Sequence, residues 1–355
     1  MTPELGIIEG FYGPQWSWQT RAESVTSLAP HGYGFYLHAP KGDPYLRRQW
    51  QEPHPAEHAA RLVEFARTCR ALDVRFGIGL SPYEIYLNFD EQARNALERK
   101  LAFLDEIGAQ DVAILFDDMR GDIADLALRQ IEIVHWIRER SNAQRIIFCP
   151  TYYSDDPILD RIFGERPDGY LERLGAGLDE RIEIFWTGEE ICAVEISVAH
   201  LERVRAQLRR RPFLWDNYPV NDSVRMSRTL HVRAFTGRPA TIASHITAHG
   251  VNPALQPVLS RIPALTLTEI YRVGADYQYG AALRRAAAEV LGAELGMRLW
   301  EDLLTLQDVG VDRLDDAQRA HLRARYEGVD NEGAREIMRW VAGEYQVTKE
   351  MVEGQ

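Results

Sequence analysis

The chain has 355 residues, of which 45% are hydrophobic and 26% charged, and its formal net charge is −12. That balance is typical of a globular protein, and the length suits one large domain with an appendix, or two domains. A nucleic-acid binder needs a basic surface to replace phosphate counterions, so the acidic balance argues against a nucleic-acid partner. The three cysteines, Cys69, Cys149 and Cys192, form no CxxC pair, and an odd count suits no disulfide framework. No apolar run is long enough to span a membrane, and the start of the chain has no basic stretch followed by an apolar one. These features predict a cytoplasmic protein with reduced thiols and no membrane partner.

Short apolar runs alternate with longer helical patterns. The predicted strands, in chain order, are Leu5–Glu9, Gly34–His38, Arg75–Leu80, Asp111–Phe116, Arg145–Cys149, Arg181–Trp186, Pro212–Trp215 and Ala240–Ile246. They are too short for helices and apolar on both faces, as strands buried between two layers should be. Amphipathic helical patterns occupy Pro55–Leu72, Glu91–Ile107, Ile123–Arg140 and Ser197–Arg210. Eight such strands over about 250 residues predict an α/β fold, a (β/α)8 TIM barrel. An open doubly wound sheet is the alternative, but no Gly-x-Gly-x-x-Gly follows the first strand. Beyond residue 280 the pattern turns helical, over Ala282–Gly292, Ala293–Gly310, Asp315–Glu327 and Asn331–Glu353. The expected organisation is a catalytic barrel over residues 1–280 and a helical C-terminal region over 281–355.

In a barrel of this kind chemistry gathers at the carboxyl ends of the strands. Those ends carry Glu9 to Gly13, His38 to Asp43, Asp117-Asp118, Cys149 to Tyr153, Trp186 to Glu189, Trp215 to Asn217, Asn221-Asp222, and then His249, Gly250 and Asn252. Carboxylates, amides, one lysine and several aromatics suit a sugar, whose hydroxyls exchange hydrogen bonds while its apolar faces pack on aromatic rings. No phosphate cradle, HExxH or other compact metal-ligand spacing is present, and there is no Gly-x-Ser-x-Gly elbow. Neither a metal nor an organic cofactor is therefore expected.

Each of these residues also has a plain structural use. A lone aspartate at a strand end often caps a helix; two together after VAILF favour catalysis. Lys41 alone suits the surface, and Trp215 and Tyr153 alone suit packing. His38, His245 and His249 read as satisfied strand-end histidines rather than ligands. Cys149 reads as a small wall residue, because no His-paired motif surrounds it.

The segments GIIEGFYGPQW, FYLHAPKGDPY, ILFDDM, FCPTYY, IFWTG, LWDNYPVND and GVNP together resemble glycoside hydrolase family 84. That family contains protein O-GlcNAcases and bacterial β-N-acetylglucosaminidases, some named hyaluronidases. The motifs occur in family order from Gly6 to Pro253, about 70% of the chain. EGFYG with LFDD and WDN-x3-ND is a specific combination, although each motif alone is weak. The resemblance implies that Asp117 orients and polarises a substrate acetamido N–H and that Asp118 is the general acid/base. It implies that Tyr153, Cys149, Thr187 and Trp215 wall an acetamido pocket. It also implies that Gly10 (through its carbonyl), Lys41 and Asn217 touch the sugar and its acetamido group. Asp222 and Asn252 resemble the pair that holds the O4 and O6 hydroxyls, and Tyr12 matches a pocket-lining position. The implied partner is a GlcNAc-bearing glycoconjugate or an O-GlcNAc-modified protein. Tyr152 departs from the acidic residue of the eukaryotic CPTEY motif, which predicts a different pocket rim. No acetyltransferase-like domain or added carbohydrate-binding module is recognisable.

Most retaining glycosidases place two carboxyls about 5–5.5 Å apart on opposite sides of the anomeric carbon. Adjacent residues at one strand end are poorly placed for that. Substrate assistance, in which the 2-acetamido oxygen attacks and forms an oxazoline, needs no enzyme nucleophile. It predicts an ionised Asp117 and a resting Asp118 kept protonated by burial and by its neighbour's charge. The alternatives are a hexosaminidase that prefers chitin-type oligosaccharides, a non-catalytic sugar-binding barrel, and a Schiff-base aldolase using Lys41.

Overall fold

Eight short segments pair side by side in a computed structural model of the protein, which describes residues 2–355. The strands are β1 (Glu4–Glu9), β2 (Tyr33–His38), β3 (Arg75–Leu80), β4 (Asp111–Leu115), β5 (Arg145–Cys149), β6 (Glu183–Trp186), β7 (Phe213–Asp216) and β8 (Ala248–Val251). All pair in parallel, each with its neighbours in sequence. β8 returns to β1 with Glu4 opposite Ala248 and Ile7 opposite Val251, which closes the barrel. The expected (β/α)8 architecture is therefore the one observed. Closure depends on Gly250, where a Cβ would meet Ile8 Cδ1 at 2.2 Å.

The helices α1 (Trp18–Leu28), α2 (Ala56–Ala71), α3 (Glu91–Glu106), α4 (Leu126–Arg140), α5 (Ile158–Phe163), α6 (Tyr170–Gly177), α7 (Val198–Leu208) and α8 (Arg261–Val273) cover the sheet. Each long helix buries an apolar stripe, such as Leu62, Phe65, Ala66 and Cys69 of α2. α1 escapes the sequence pattern because half of its buried face is polar: Arg21 and Ser24 lie beside Val25 and Leu28. Arg21 is tolerated there because it pairs with the equally buried Glu9 at 2.6 Å. At the amino ends of the strands Arg75 and Arg145 meet Glu4 at 2.8 and 3.1 Å, a polar plug that closes the barrel floor.

The last strand departs from expectation. ATIASHI, the apolar run at 240–246, forms a 3-10 turn over Ala240–Ser244. The strand is the following Ala248–Val251, AHGV. Its glycine and polar histidine hide it from an apolar scan. The connection from β7 to β8 contains 3-10 turns and no α-helix.

The C-terminal region contains α9 (Tyr279–Leu291), α10 (Ala293–Glu301), α11 (Asp316–Tyr326), α12 (Glu332–Val341) and α13 (Lys349–Gly354). The pattern at 331–353, read as one helix, breaks into α12 and α13, with Gly343 at φ +81° between them. These helices are stitched to the barrel. Both carboxylate oxygens of Glu336 accept backbone N–H groups, from Val258 and Leu259, at 2.9 Å. Trp340 Nε1 donates to the Arg228 carbonyl, and the Val347 N–H donates to Ser227 Oγ. Among the described residues no helix is long and apolar enough to cross a membrane.

Candidate active site

The carboxyl ends of the strands surround a cavity of about 530 Å³. All twelve residues singled out in the sequence line it: Gly10, Tyr12, Lys41, Asp117, Asp118, Cys149, Tyr153, Thr187, Trp215, Asn217, Asp222 and Asn252. Further strand-end residues do not. Glu9 is buried against Arg21 and accepts the Tyr36 hydroxyl at 2.6 Å. Asp216 is locked between Arg238 at 2.7 Å and His249 Nε2 at 3.0 Å. Tyr152 is buried with its hydroxyl on the Gly164 carbonyl at 2.6 Å, so it is no part of the rim where sequence reasoning put it.

Successive residues of a strand point to opposite faces, yet Asp117 and Asp118 both reach the cavity. The reason is the backbone of Asp118, which turns into the left-handed region at φ +57° just past the end of β4. That conformation is uncommon for a residue with a side chain, and aspartate tolerates it better than most. No helix starts at either acid, so neither serves as a cap.

Lys41 lies between the two acids. Its Nζ donates to Asp117 Oδ2 and stands 3.2 Å from Asp118 Oδ2. Burial alone would lower the lysine pKa, but the two carboxylates outweigh it and hold Lys41 charged. Asp117 Oδ1, on the other side of the same carboxylate, is buried and has no hydrogen-bond partner. A buried acceptor left in this way requires an explanation.

Asp118 is held by several donors. The Tyr12 hydroxyl reaches its Oδ2 at 2.8 Å, and the Tyr153 hydroxyl reaches Oδ1 at 3.3 Å. Arg47 Nη2 reaches its carbonyl at 3.3 Å. Burial raises the Asp118 pKa, but Lys41, Arg47 and the Tyr12 hydrogen bond together bring it below the ordinary carboxylate value. This differs from the expectation that the negative charge of Asp117 keeps Asp118 protonated. Lys41 is expected in the site from the sequence; Arg47, the second cation, is not.

The opposite wall is an amide network. Gly10 N–H donates to Asn252 Oδ1 at 3.3 Å, while Asn252 Nδ2 and Trp215 Nε1 converge on Asn217 Oδ1 at 2.9 and 3.0 Å. Gly10 has no alternative, since a Cβ there would meet the Trp215 ring at 2.2 Å. Asp222 accepts the Tyr12 backbone N–H at 2.8 Å. Burial pushes the Asp222 carboxyl up to about 6, against the partial opposition of that N–H. Cys149 is a buried free thiol in the cavity wall whose pKa burial drives up, which disfavours the nucleophilic thiolate.

The mouth was not legible beforehand. Ile162 of α5, Ile191, Val224, Arg225, and Lys349 and Val352 of α13 also line the cavity. Ile162 is 60% exposed and Val224 43%, so the entrance is apolar, with two cations beside it. These residues come from segments far apart in sequence that carry no motif.

The fold and the chain as a whole have known counterparts. A solved O-GlcNAc hydrolase variant from Thermobaculum terrenum superposes with a TM-score of 0.77 and is 28% identical, over 96% of this chain and 74% of that one. Protein O-GlcNAcase from Mus musculus and its counterpart from Rattus norvegicus are each 27% identical over 276 residues, which is 75% of this chain. The chain spans only 30% of the length of those two curated relatives. The beta-N-acetylglucosaminidase family profile matches residues 5–305, spanning every strand of the barrel. With that match, the chain belongs to the beta-N-acetylglucosaminidase family, glycoside hydrolase family 84.

Proposed function

We propose that the protein is a retaining β-N-acetylglucosaminidase that hydrolyses terminal β-linked GlcNAc, including O-GlcNAc on serine or threonine, through an oxazoline intermediate. The observation that carries this reading is the unpartnered Asp117 Oδ1, buried at the cavity while Oδ2 is engaged by Lys41. An acetamido N–H is the donor that such an acceptor suits. Accepting it would aim the acetamido oxygen at the anomeric carbon and stabilise positive charge developing on nitrogen.

The remaining roles follow from position. Asp118 gives its proton to the leaving oxygen and then takes one from water. Lys41 and Arg47 disfavour that proton in an open cavity, so Asp118 takes it up as the sugar covers the carboxyl and deepens its burial. Cys149, Tyr153, Thr187 and Trp215 wall the acetamido pocket. The Gly10 carbonyl, Lys41 and Asn217 hold the sugar and its acetamido group, Asp222 and Asn252 hold O4 and O6, and Tyr12 steadies Asp118. Residues 1–280 supply Arg47 and the twelve cavity-lining residues, and the region 281–355 adds Lys349 and Val352 to the mouth. A cytoplasmic site of action fits the three free thiols.

The test is turnover of aryl β-GlcNAc substrates with mono-, di- and trifluorinated acetyl groups. The rate is expected to fall with each fluorine, and the β-hemiacetal to be released first. A rate indifferent to fluorination, or initial release of the α-anomer, refutes substrate assistance. Parallel assays of a GlcNAc-modified peptide and a chitin disaccharide rank the two substrate classes.

A further inference from the structure

A second polar cluster lies behind the β2 loop that carries Lys41. His38 at the end of β2 is fully buried; its Nδ1 stands 3.4 Å from Glu9 Oε2 without good hydrogen-bond geometry, and its Nε2 has no partner. The expectation of a satisfied strand-end histidine is therefore met only in part by His38, whose Nε2 is left over. His249 of β8 meets Tyr271 and Asp216, and His245, which follows a 3-10 turn and no strand, meets Glu202. Asp43, fully buried, uses Oδ1 to cap the turn at Tyr45. Its Oδ2 faces His54 Nε2 at 3.2 Å and His58 Nε2 at 3.4 Å. Only the His54 contact has hydrogen-bond geometry; His58 Nε2 is buried and unpartnered. Trp18 stacks on His38 and packs edge-on against His58, with both ring centroids 5.5 Å away.

Orphaned polar nitrogens are few in native proteins, and a cluster of them calls for a further ligand. Here the orphans are imidazoles gathered around a carboxylate. Ligand atoms of His38, Asp43 and His58 all lie within 4.8 Å of one another. Bonds of about 2.0–2.1 Å in a tetrahedron place ligand atoms roughly 3.4 Å apart, so modest side-chain rotation closes the set. Glu9 cannot serve as a further ligand, because Arg21 and Tyr36 occupy its oxygens. His58 keeps 25% of its side chain exposed, which gives an ion an entry path and leaves a fourth position for solvent.

We propose that His38, Asp43 and His58 form a binding site for a divalent late transition ion, zinc in the first instance. Two imidazoles and one carboxylate are a borderline-soft donor set that suits zinc and disfavours magnesium and calcium. The site joins the end of β2, the loop that bears Lys41 and the first turn of α2. Its role is to fix that loop. It takes no part in the hydrolytic step, since none of its residues lines the catalytic cavity.

The experiment uses the full chain, stripped with EDTA, desalted and titrated with Zn²⁺ against a chromophoric chelator. One zinc per chain is expected, with a rise in Tm on binding and, with Co²⁺ in its place, the visible absorption of a low-symmetry four-coordinate site. His58→Ala, at the partly exposed ligand, should weaken zinc binding at least tenfold and abolish the zinc-dependent rise in Tm. Circular dichroism of the metal-free variant checks its fold; should His58→Ala fail to fold, the size-matched His58→Gln and Asp43→Asn carry the same test. Stoichiometric binding undiminished in the folded variants places the ion elsewhere, and wild-type binding no tighter than theirs removes the site.

Discussion

Tyr12 donates its phenolic proton to Asp118 Oδ2 at 2.8 Å, while its own backbone N–H donates to Asp222. One residue thus ties together the two carboxyls to which we assign proton transfer and sugar holding. Tyr12→Phe removes only the first of these bonds. A donor to the charged form lowers a carboxyl pKa, so its loss raises that of Asp118. Hydrogen bonds to charged groups contribute about 1.5–3 kcal/mol, and one pKa unit corresponds to about 1.4 kcal/mol. The alkaline limb of kcat/KM is therefore expected to move up by about 1–2 pH units. A limb that stays in place means that another group carries the proton.

The two aspartates are separable by leaving group. Asp118→Ala should retain most of the first step for a highly acidic phenol and nearly abolish turnover of a serine-linked sugar, whose alkoxide cannot leave unprotonated. Azide should rescue this variant by attacking the intermediate, giving a β-glycosyl azide. Asp117→Ala should lose rate for every leaving group, without azide rescue. The measurement is kcat/KM across phenols of graded acidity. A steep dependence for Asp117→Ala and a shallow one for Asp118→Ala would exchange the roles.

Asp222 sets a pH window. Its carboxyl is pushed up to about 6, above the ordinary value of about 4. The folded protein favours the neutral form, so this group's contribution to stability is lost as pH rises from about 4 through 6. Sugar holding runs the other way, because the carboxylate is the better acceptor of hydroxyls above 6. Asp222→Asn should raise Tm at pH 8 more than at pH 5. It should also lower kcat/KM at least about tenfold at pH 8, the equivalent of about 1.4 kcal/mol. An unchanged kcat/KM in the folded variant removes Asp222 from the sugar site.

Glu336 ties the C-terminal helices to the loop that follows β8. Glu336→Ala leaves the N–H groups of Val258 and Leu259 buried without their acceptor. Each unsatisfied group costs about 1–3 kcal/mol, so Tm should fall by several degrees. KM should rise too, because the same loop begins at Asn252. A Tm unchanged in thermal denaturation would show that the contact does not hold the two regions together.

The parts legible in the sequence are those where local chemistry and topology agree. Seven strands announce themselves as apolar runs, and the polar residues beyond each run fall at one end of the barrel because every strand is parallel. β8 was misplaced because its residues answer to neighbours: Gly250 makes room for Ile8, and His249 pairs with Asp216. The ionisation of Asp118 was misjudged for a similar reason. Its immediate neighbour in sequence is an acid, but its decisive neighbours in space are Lys41 and Arg47. Ile162 and Val224 were invisible because an exposed apolar residue carries no sign of what it faces.

The left-handed turn at Asp118 also limits what this barrel can become. A β-branched or bulky residue is a steric outlier at φ +57°, whereas asparagine and glycine are at home there. Both are single-base changes from an aspartate codon. If Asp118 is the proton donor proposed above, a lineage that loses it by either route keeps its backbone, and with it the amide network, the tryptophan wall and the partner acid. It would descend to a barrel that still grips its sugar and no longer cuts it, a lectin one base away from an enzyme.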